Sequence, residues 1–410
     1  MSQSPGADER PKTLLITLTG KDRPGVTSAV FSTLARFGVE VIDIEQIVLR
    51  RRLVLGLLVS TPHEWKPLRD AIEKVADDLG MNVEVERGAG DNKPRPVGRS
   101  HVTVLGTPLR SAAVAAIAGR IADIGANIDR IERMARYPVT AINLHVSGAA
   151  PEKLRAILAE EASHQNVDVA VQSADLLRRG MRLIVMDVDS TLIQGEVIEM
   201  LAAHAGCEPE VARVTEAAMR GDLDFTESLT ARVALLEGLD AGALDLVYDA
   251  LVLAPGARTT IRTLKRLGYR FAIVSGGFSQ ITDRLAADLG IDYAAANELE
   301  IVDGKLTGKV IGEVVDRAGK AKALRRFAAA SGITEGATIA IGDGANDLDM
   351  LSAAGLGIAF NAKPLVQKAA HTSVNVPYLD TVMYLLGISR EEIEAADAAA
   401  GIVTPAPPLV

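Results

Sequence analysis

The sequence predicts an α/β protein in which a parallel-sheet domain with a helical insert follows two small βαββαβ modules. Three observations carry this expectation. Apolar residues alternate with period two and then with a period of about 3.6 in the same element order twice within residues 12–176. From Met181 onward, short aliphatic strands are separated by long helical stretches, the pattern of a parallel sheet. After the first of those strands comes a stretch rich in alanine and leucine, 197–253, long enough for a small helical bundle.

The front half reads in order. Residues 14–18 are a strand and 19–25 a loop. Val26, Ala29, Val30, Thr33, Leu34 and Phe37 then share one face of a helix that Gly38 ends. Two β-branched strands follow at 39–48 and 53–60, then a helix carrying Leu68, Ala71, Ile72, Val75 and Leu79, then a strand at 82–86. After a linker of Pro, Gly, Asp and Lys at 88–98, the order returns. It has a strand at 102–105, a helix ending at Gly125, strands at 128–134 and 141–146, a helix around 154–158 and a strand at 167–172. Residues 38–45 match 125–132, and Leu18 matches Leu105, at one fixed offset, which marks an internal duplication.

In the loop of the first copy, Gly20 and Gly25 expose backbone N–H groups at a helix N-terminus, where a carboxylate is favoured, and Asp22 is placed to pair with an amine. The same residues also read as turn formers with Asp22 as a helix cap. The second copy's loop, 105–109, has no acidic residue. With Asp22, Arg23, Pro24 and Gly25 as the best match, these segments resemble ACT domains over about 12–90 and, more weakly, 98–176. ACT domains are ferredoxin-like modules that commonly bind amino acids and regulate enzymes. The resemblance implies Gly20, Asp22 and Gly25 as effector-binding residues, serine or another amino acid as effector, and a homodimer formed by paired modules.

In the back half, residues 183–186 form a strand that runs into Asp187 and Asp189. Open α/β sheets bind ligands beyond the carboxyl ends of their strands, so both carboxylates project into a site. Such a pair can hold a divalent cation and divide attack from proton transfer. In a phosphoryl-transfer site Asp187 would attack phosphorus, while Asp189 would protonate the leaving oxygen and later take a proton from water. Alone, the motif would read as an Asx-type turn with a helix cap at Ser190 or Thr191. A second strand, 270–274, ends in Ser275, Gly276 and Gly277, a hydroxyl and backbone N–H groups suited to phosphate oxygens. Lys320 opens a helix and can neutralise phosphoryl charge, with Lys322 as its rival. A further strand, 337–341, leads into a glycine-rich turn holding Asp343 and Asp347, hard oxygen ligands that suit Mg²⁺. Acidic, hydroxyl, cationic and acidic groups in this order predict a phosphoryl-transfer site.

These four motifs resemble the haloacid dehalogenase superfamily of phosphatases, with a Rossmann-like core, over about 181–389. The resemblance implies Mg²⁺ held by the side chains of Asp187 and Asp343 and the backbone carbonyl of Asp189, with Asp347 supporting the metal's waters. Ser275, Gly276, Lys320 and Asn346 would hold the phosphoryl group. The domain is expected over 181–394, before a mobile tail at 395–410.

The insert 197–253 is expected to cap the site, excluding water and contacting the leaving group. Its stretch 219–239, with Glu196 ahead of it, resembles the phosphoserine phosphatases. That implies Glu196 for the substrate's ammonium, Arg232 for its carboxylate, and Met219 and Phe225 closing over it. The expected reaction converts O-phospho-L-serine to L-serine and phosphate, the last step of serine biosynthesis. A zwitterion needs one acid and one base, and arginine's fork suits a carboxylate. From the residues alone, Phe225 also fits plain cap core, and Arg232 a surface pair with Glu227 or Asp224. Another small amino-acid phosphate, a phosphoprotein, or an amino-acid sensor without activity stay open as alternatives. Residues 300–310 read as a hairpin about Asp303 and Gly304, and His371 as structural.

Composition bounds the rest. The 410 residues suffice for several domains with cores of their own. A 48% hydrophobic and 24% charged make-up is that of a soluble globular protein, and with 3% aromatics its cores are aliphatic. A net charge of -9 and a pI near 5.3 argue against nucleic acid or an anionic membrane as partner. The single cysteine, Cys207, excludes an intramolecular disulfide or a zinc cluster and reads as filler. Residues 1–11 are polar and expected to be disordered. With no signal-peptide pattern and no run near the roughly 20 apolar residues of a membrane span, the expectation is a cytoplasmic protein.

Overall fold

The computed structural model describes residues 12–88, 98–174, 180, 183–220 and 222–405, and for Met219 the backbone only. The expected disordered segment 1–11 and the end of the expected tail, 406–410, lie outside the described residues. The chain divides into two compact units, Met1–Arg95 and Pro96–Val410.

In the first unit, β1 (Thr13–Lys21), β2 (Val41–Leu49), β3 (Arg52–Ser60) and β4 (Met81–Gly88) form an antiparallel sheet in the order β2-β3-β1-β4. Period-two patterning sets its buried face. Leu14, Ile16 and Leu18 of β1 and Leu55, Leu57 and Val59 of β3 are buried beneath the helices Val26–Ala35 and Trp65–Asp78. The loop expected from Thr19 starts only after Lys21, because β1 keeps pairing with β3 as far as Arg52. Edge strand β2 leaves Ile44, Ile47, Val48 and Leu49 exposed.

The second unit opens with the same topology. Strands β5 (Arg99–Gly106), β6 (Asn127–Ala135), β7 (Thr140–Ser147) and β8 (Asp168–Ser173) are ordered β6-β7-β5-β8, and helices Ser111–Asp123 and Pro151–Gln165 cover one face. The other face is not left to water. Leu105, Met134, Ala141 and Ala170 are buried in one apolar cluster with residues of the following domain. Asp168 accepts from the backbone and side-chain N–H groups of Asn375, and Gln172 donates to Leu385 O at 2.8 Å.

That domain is a seven-stranded sheet. Its strands are β9 (Leu183–Met186), β10 (Arg270–Phe278), β11 (Tyr293–Val302), β12 (Lys305–Ile311), β13 (Thr338–Gly342), β14 (Leu356–Phe360) and β15 (Thr372–Val374), ordered β12-β11-β10-β9-β13-β14-β15. All neighbours are parallel except the β11–β12 hairpin. Every residue of central β9 is buried, as a strand covered on both faces requires.

Helices Val197–Ala205, Glu208–Arg220, Phe225–Ala234 and Ala243–Ala250 make up the insert after β9. Its two ends are joined: Gln194 N–H donates to Val252 O at 2.8 Å, Ala254 N–H donates to Leu192 O at 2.9 Å, and Ile193 bridges Leu253. The hairpin turns at Asp303 (φ 50°) and Gly304 (φ 75°), the left-handed pair a two-residue turn demands. It also tethers the insert, for Gly238 N–H donates to Leu306 O and Leu306 N–H to Leu239 O, each at 2.9 Å.

The expected tail at 395–410 is corrected over its described part. Helix Arg390–Ala399 runs through it, held by Asp397, which is fully buried and accepts from Arg262 and Arg266. Thr404 donates to Asp397 at 2.9 Å, and Pro405 O accepts from Arg390. Proline-rich composition hid a buried ion-pair anchor. Among the described residues no helix is long and apolar enough to cross a membrane.

Candidate active site

Because β9 and β13 are adjacent and parallel, the residues that follow them emerge side by side at the carboxyl edge of the sheet. Asp187 N–H donates to Ile341 O at 2.9 Å, and the Asp187 carboxylate accepts from Val188 N–H at 2.8 Å. Ser190 turns the chain at φ 57°, and Thr191 Oγ1 donates to Asp343 Oδ1 at 3.0 Å. Asp187, Asp343 and Asp347 each offer a carboxylate oxygen within 4.8 Å of the others, close enough to share one cation. Gly342 permits this crowding, since a Cβ there would lie 2.4 Å from the Asp347 carboxyl carbon.

Lys320, fully buried in helix Arg317–Ala330, reaches Asp187 Oδ1 at 2.8 Å and Asp347 Oδ1 at 2.7 Å. Its rival Lys322 is exposed and pairs with Glu313. Burial pulls the Lys320 ammonium down, but Asp187 and Asp347 outweigh it and its pKa is raised. Burial pushes Asp187 well above the usual carboxylate range, with Asp347 adding to the effect and Lys320 opposing it. Asp343 is pushed up to about 6 by burial and by Asp347. Three crowded carboxylates facing one ammonium leave excess negative charge on hard oxygens, a donor set that fits a divalent cation.

Asp189 lies next to this trio but turns its carboxylate elsewhere, accepting from Val197 N–H at 2.9 Å and Ser275 Oγ at 3.1 Å. Burial raises its pKa against those two hydrogen bonds. Ser275 to Gly277, expected just past the strand, lie inside β10 where its pairing with β11 breaks between Val274 and Phe278. The break is the physical reason their groups face the site rather than a ladder. Ser275 is buried and accepts from Gly277 N–H at 2.7 Å, while Gly276 O accepts from Asn297 at 2.8 Å.

The insert closes the other side. Glu196 accepts from Ser190 Oγ at 3.1 Å, and burial followed by the Asp189 charge lifts its pKa to about 7. Arg232 does not pair with Asp224 or Glu227, because those two form a capping box with each other at the start of helix Phe225–Ala234. Its Nε donates to Ser228 O, and its pKa is lowered by burial against the pull of Glu196 and Asp189. Phe225 is half-buried, packing both on the core and over Gly276, where a Cβ would lie 2.8 Å from the ring. The contact expected of Met219 involves a side chain outside the described residues. Asp187, Asp189, Glu196, Phe225, Arg232, Gly276, Asp343 and Asn346 thus line one cavity of ≈ 560 Å³.

Sequence reasoning missed several groups here. Ser190 and Thr191, given no part in the site by the sequence, hold Glu196 and Asp343. Asn297 clamps the Gly276 carbonyl and accepts from Val315 N–H, a role that no motif spacing signals. Arg317 and Lys363 line the cavity too.

The expected effector residues lie in the first unit. Gly20 falls within β1, where a Cβ would press on Met81 at 2.8 Å, and Gly25 adopts φ 94° ahead of helix Val26–Ala35. No side chain caps that helix among the described residues, so the cap reading of Asp22 is not met.

The haloacid dehalogenase-like hydrolase family matches residues 184–352, and the ACT domain family matches twice, at 12–86 and 99–172. A phosphoserine phosphatase of Streptomyces coelicolor is 63% identical over 390 residues, 95% of each chain. Another, of Mycobacterium tuberculosis, is 54% identical over 392 residues, 94% of this chain and 95% of its own. Among solved structures, a probable phosphoserine phosphatase of Vibrio cholerae in unliganded form is 35% identical with a TM-score of 0.55, covering 73% of this chain and 88% of that one. On these matches and the site they enclose, the chain belongs to the phosphoserine phosphatase family of haloacid dehalogenase-like hydrolases and carries two ACT domains.

Proposed function

We propose that this chain hydrolyses O-phospho-L-serine to L-serine and phosphate, the last step of serine biosynthesis, through a phosphorylated Asp187. One observation carries the reading: a single cavity is lined by Asp187, Asp189 and Asp343 together with an acid and a base, Glu196 and Arg232, and buried Lys320 backs Asp187 from behind the wall.

With Oδ1 of Asp187 engaged by Lys320 and Val188 N–H, Oδ2 is the atom left to bond phosphorus. As that P–O bond forms, the ester P–O bond breaks, and Asp189, biased by burial toward its protonated form, gives its proton to the departing serine oxygen. Water next attacks phosphorus, Asp189 takes its proton, and the bond to Asp187 breaks to release phosphate. Lys320, Ser275, Gly276 and Asn346 steady the phosphoryl group, while Glu196 receives the ammonium, Arg232 the carboxylate, and Phe225 and Met219 close over the substrate. Asp187, Asp343 and the Asp189 backbone carbonyl would hold Mg²⁺, which when bound would supply charge neutralisation for nucleophile and phosphate. Asp347 has both oxygens committed, to Lys320 and to Gly344 N–H at 3.0 Å, and suits support of the ion's waters.

The three modules are taken to act as units at about 12–90, 98–176 and 181–394, in line with the family matches. An amino-acid effector, serine among the candidates, is assigned to Gly20, Asp22 and Gly25, where an uncapped helix N-terminus favours a carboxylate. The exposed apolar side chains of edge strand β2 support a homodimer, and a biosynthetic role supports a cytoplasmic location. The test is Asp187→Asn. It should abolish turnover together with any acid-stable, hydroxylamine-sensitive phosphoenzyme, and retained turnover refutes covalent catalysis.

A further inference from the structure

A second cavity, ≈ 750 Å³, lies within the Pro96–Val410 unit where β8 and helix Pro151–Gln165 meet the edge of the catalytic sheet at β15. Arg155, Lys368 and His371 border it, together with the carboxylates of Glu152 at the exposed rim and Asp168 within. Arg155 donates from a terminal nitrogen to Val171 O at 3.2 Å, while its Nε, shielded from solvent, has no hydrogen-bond partner among the described residues. His371 Nδ1 accepts from Gly357 N–H at 2.8 Å, so the neutral ring carries its proton on Nε2. Burial, and then the charge of Arg155, hold that ring in the neutral form. The buried acid on this wall, Asp168, has both oxygens occupied by Asn375 at 2.7 Å. The Arg155 guanidinium, held by its bond to Val171 O, lines the cavity as a fixed positive charge that an oxyanion would pair with.

The cavity also touches catalysis through one short helix, Pro364–Ala369. Lys363, Leu365 and Val366 line the active-site cavity, whereas Pro364, Gln367 and Lys368 line the second. Gln367 donates to Asn375 Oδ1 at 2.7 Å, and so continues the chain of hydrogen bonds from Asp168 to this shared helix. The loop of the second ACT domain, which lacks the acid of the first copy, borders the cavity with Gly106 and Thr107.

We propose that this cavity is a regulatory site for a small oxyanion-bearing molecule, an amino-acid carboxylate or free phosphate, with Arg155 as the anion's partner and helix Pro364–Ala369 as the element through which occupancy reaches the active site. The readout in turnover rests on the catalytic reading above, but the binding does not. The full-length chain with Mg²⁺ is probed with each amino acid and, separately, with inorganic phosphate, following hydrogen exchange of residues 363–376 alongside phosphoserine turnover. Expected is slowed exchange in that segment with at least one probe and a change in turnover of about two-fold or more. Arg155→Gln should weaken the half-saturating concentration roughly ten-fold, equivalent to about 1.4 kcal/mol, while basal turnover holds. The two probe arms identify which oxyanion binds. Ser163→Trp, which adds bulk to the cavity wall from helix Pro151–Gln165 and keeps Arg155, should erase the same response and guards against a misfolded Arg155 variant. Unchanged exchange with every probe, or equal responses in wild type and both variants, overturns the site. A wild type that fails to hydrolyse phosphoserine while still showing Arg155-dependent protection overturns only the catalytic reading.

Discussion

Arg232 and Glu196 impose opposite charge requirements on one substrate, and each gives a separable prediction. Arg232→Ala should raise KM for phosphoserine by roughly a hundred-fold, the loss of a charge-assisted pair worth about 1.5–3 kcal/mol, and leave p-nitrophenyl phosphate nearly unaffected. Equal losses on both esters would remove Arg232 from substrate selection. Glu196, with its pKa at about 7, loses the charge that receives an ammonium as pH falls through that value. KM for phosphoserine should therefore climb below neutrality by up to about ten-fold per pH unit, and Glu196→Gln should flatten the profile. Asp187, Ser275, Lys320 and Asp343 were legible in the sequence because each follows a strand or opens a helix in fixed order. Asn297 was not legible, since it serves a backbone carbonyl and leaves no periodic trace.

At the scale of elements, the hairpin β11–β12 does more than extend the sheet. Gly308 on β12, at φ 78°, passes so close to the insert that a Cβ would lie 3.2 Å from the Ala234 backbone. Gly308→Ala should cost about 1–3 kcal/mol of stability by thermal melting and raise KM for phosphoserine several-fold, because it displaces the helix that carries Phe225 and Arg232. An unaltered KM would show that the hairpin does not position that helix. Alternation and helical period gave the order of elements but not their ends. The extra length of β1 comes from pairing with β3, and the irregularity in β10 from a break in pairing with β11, both long-range facts that local pattern does not encode.

Over the whole molecule, burial distinguishes the two ACT domains. The first fills its core from its own strands and helices, whereas the second lends Leu105, Met134, Ala141 and Ala170 to the catalytic domain. A chain cut to residues 96–410 should fold and cleave p-nitrophenyl phosphate. One starting at 181 should lose stability on the order of several kcal/mol, given about 1.5–3 kcal/mol for each large apolar side chain uncovered. Equal melting temperatures for the two would contradict the shared core. Period two revealed which side chains of β5 and β7 share a face but not what covers it, so this sharing was hidden from sequence. The insert follows a different logic again, because its entry and exit segments are hydrogen-bonded to each other beside Ile193 and Leu253. With its ends pinned together, the entropy of closing that excursion grows only slowly with the length of what lies between them. Ester choice is in consequence a cassette: another bundle spliced between the same two positions would inherit intact phosphoryl chemistry, and the two can diverge at separate rates.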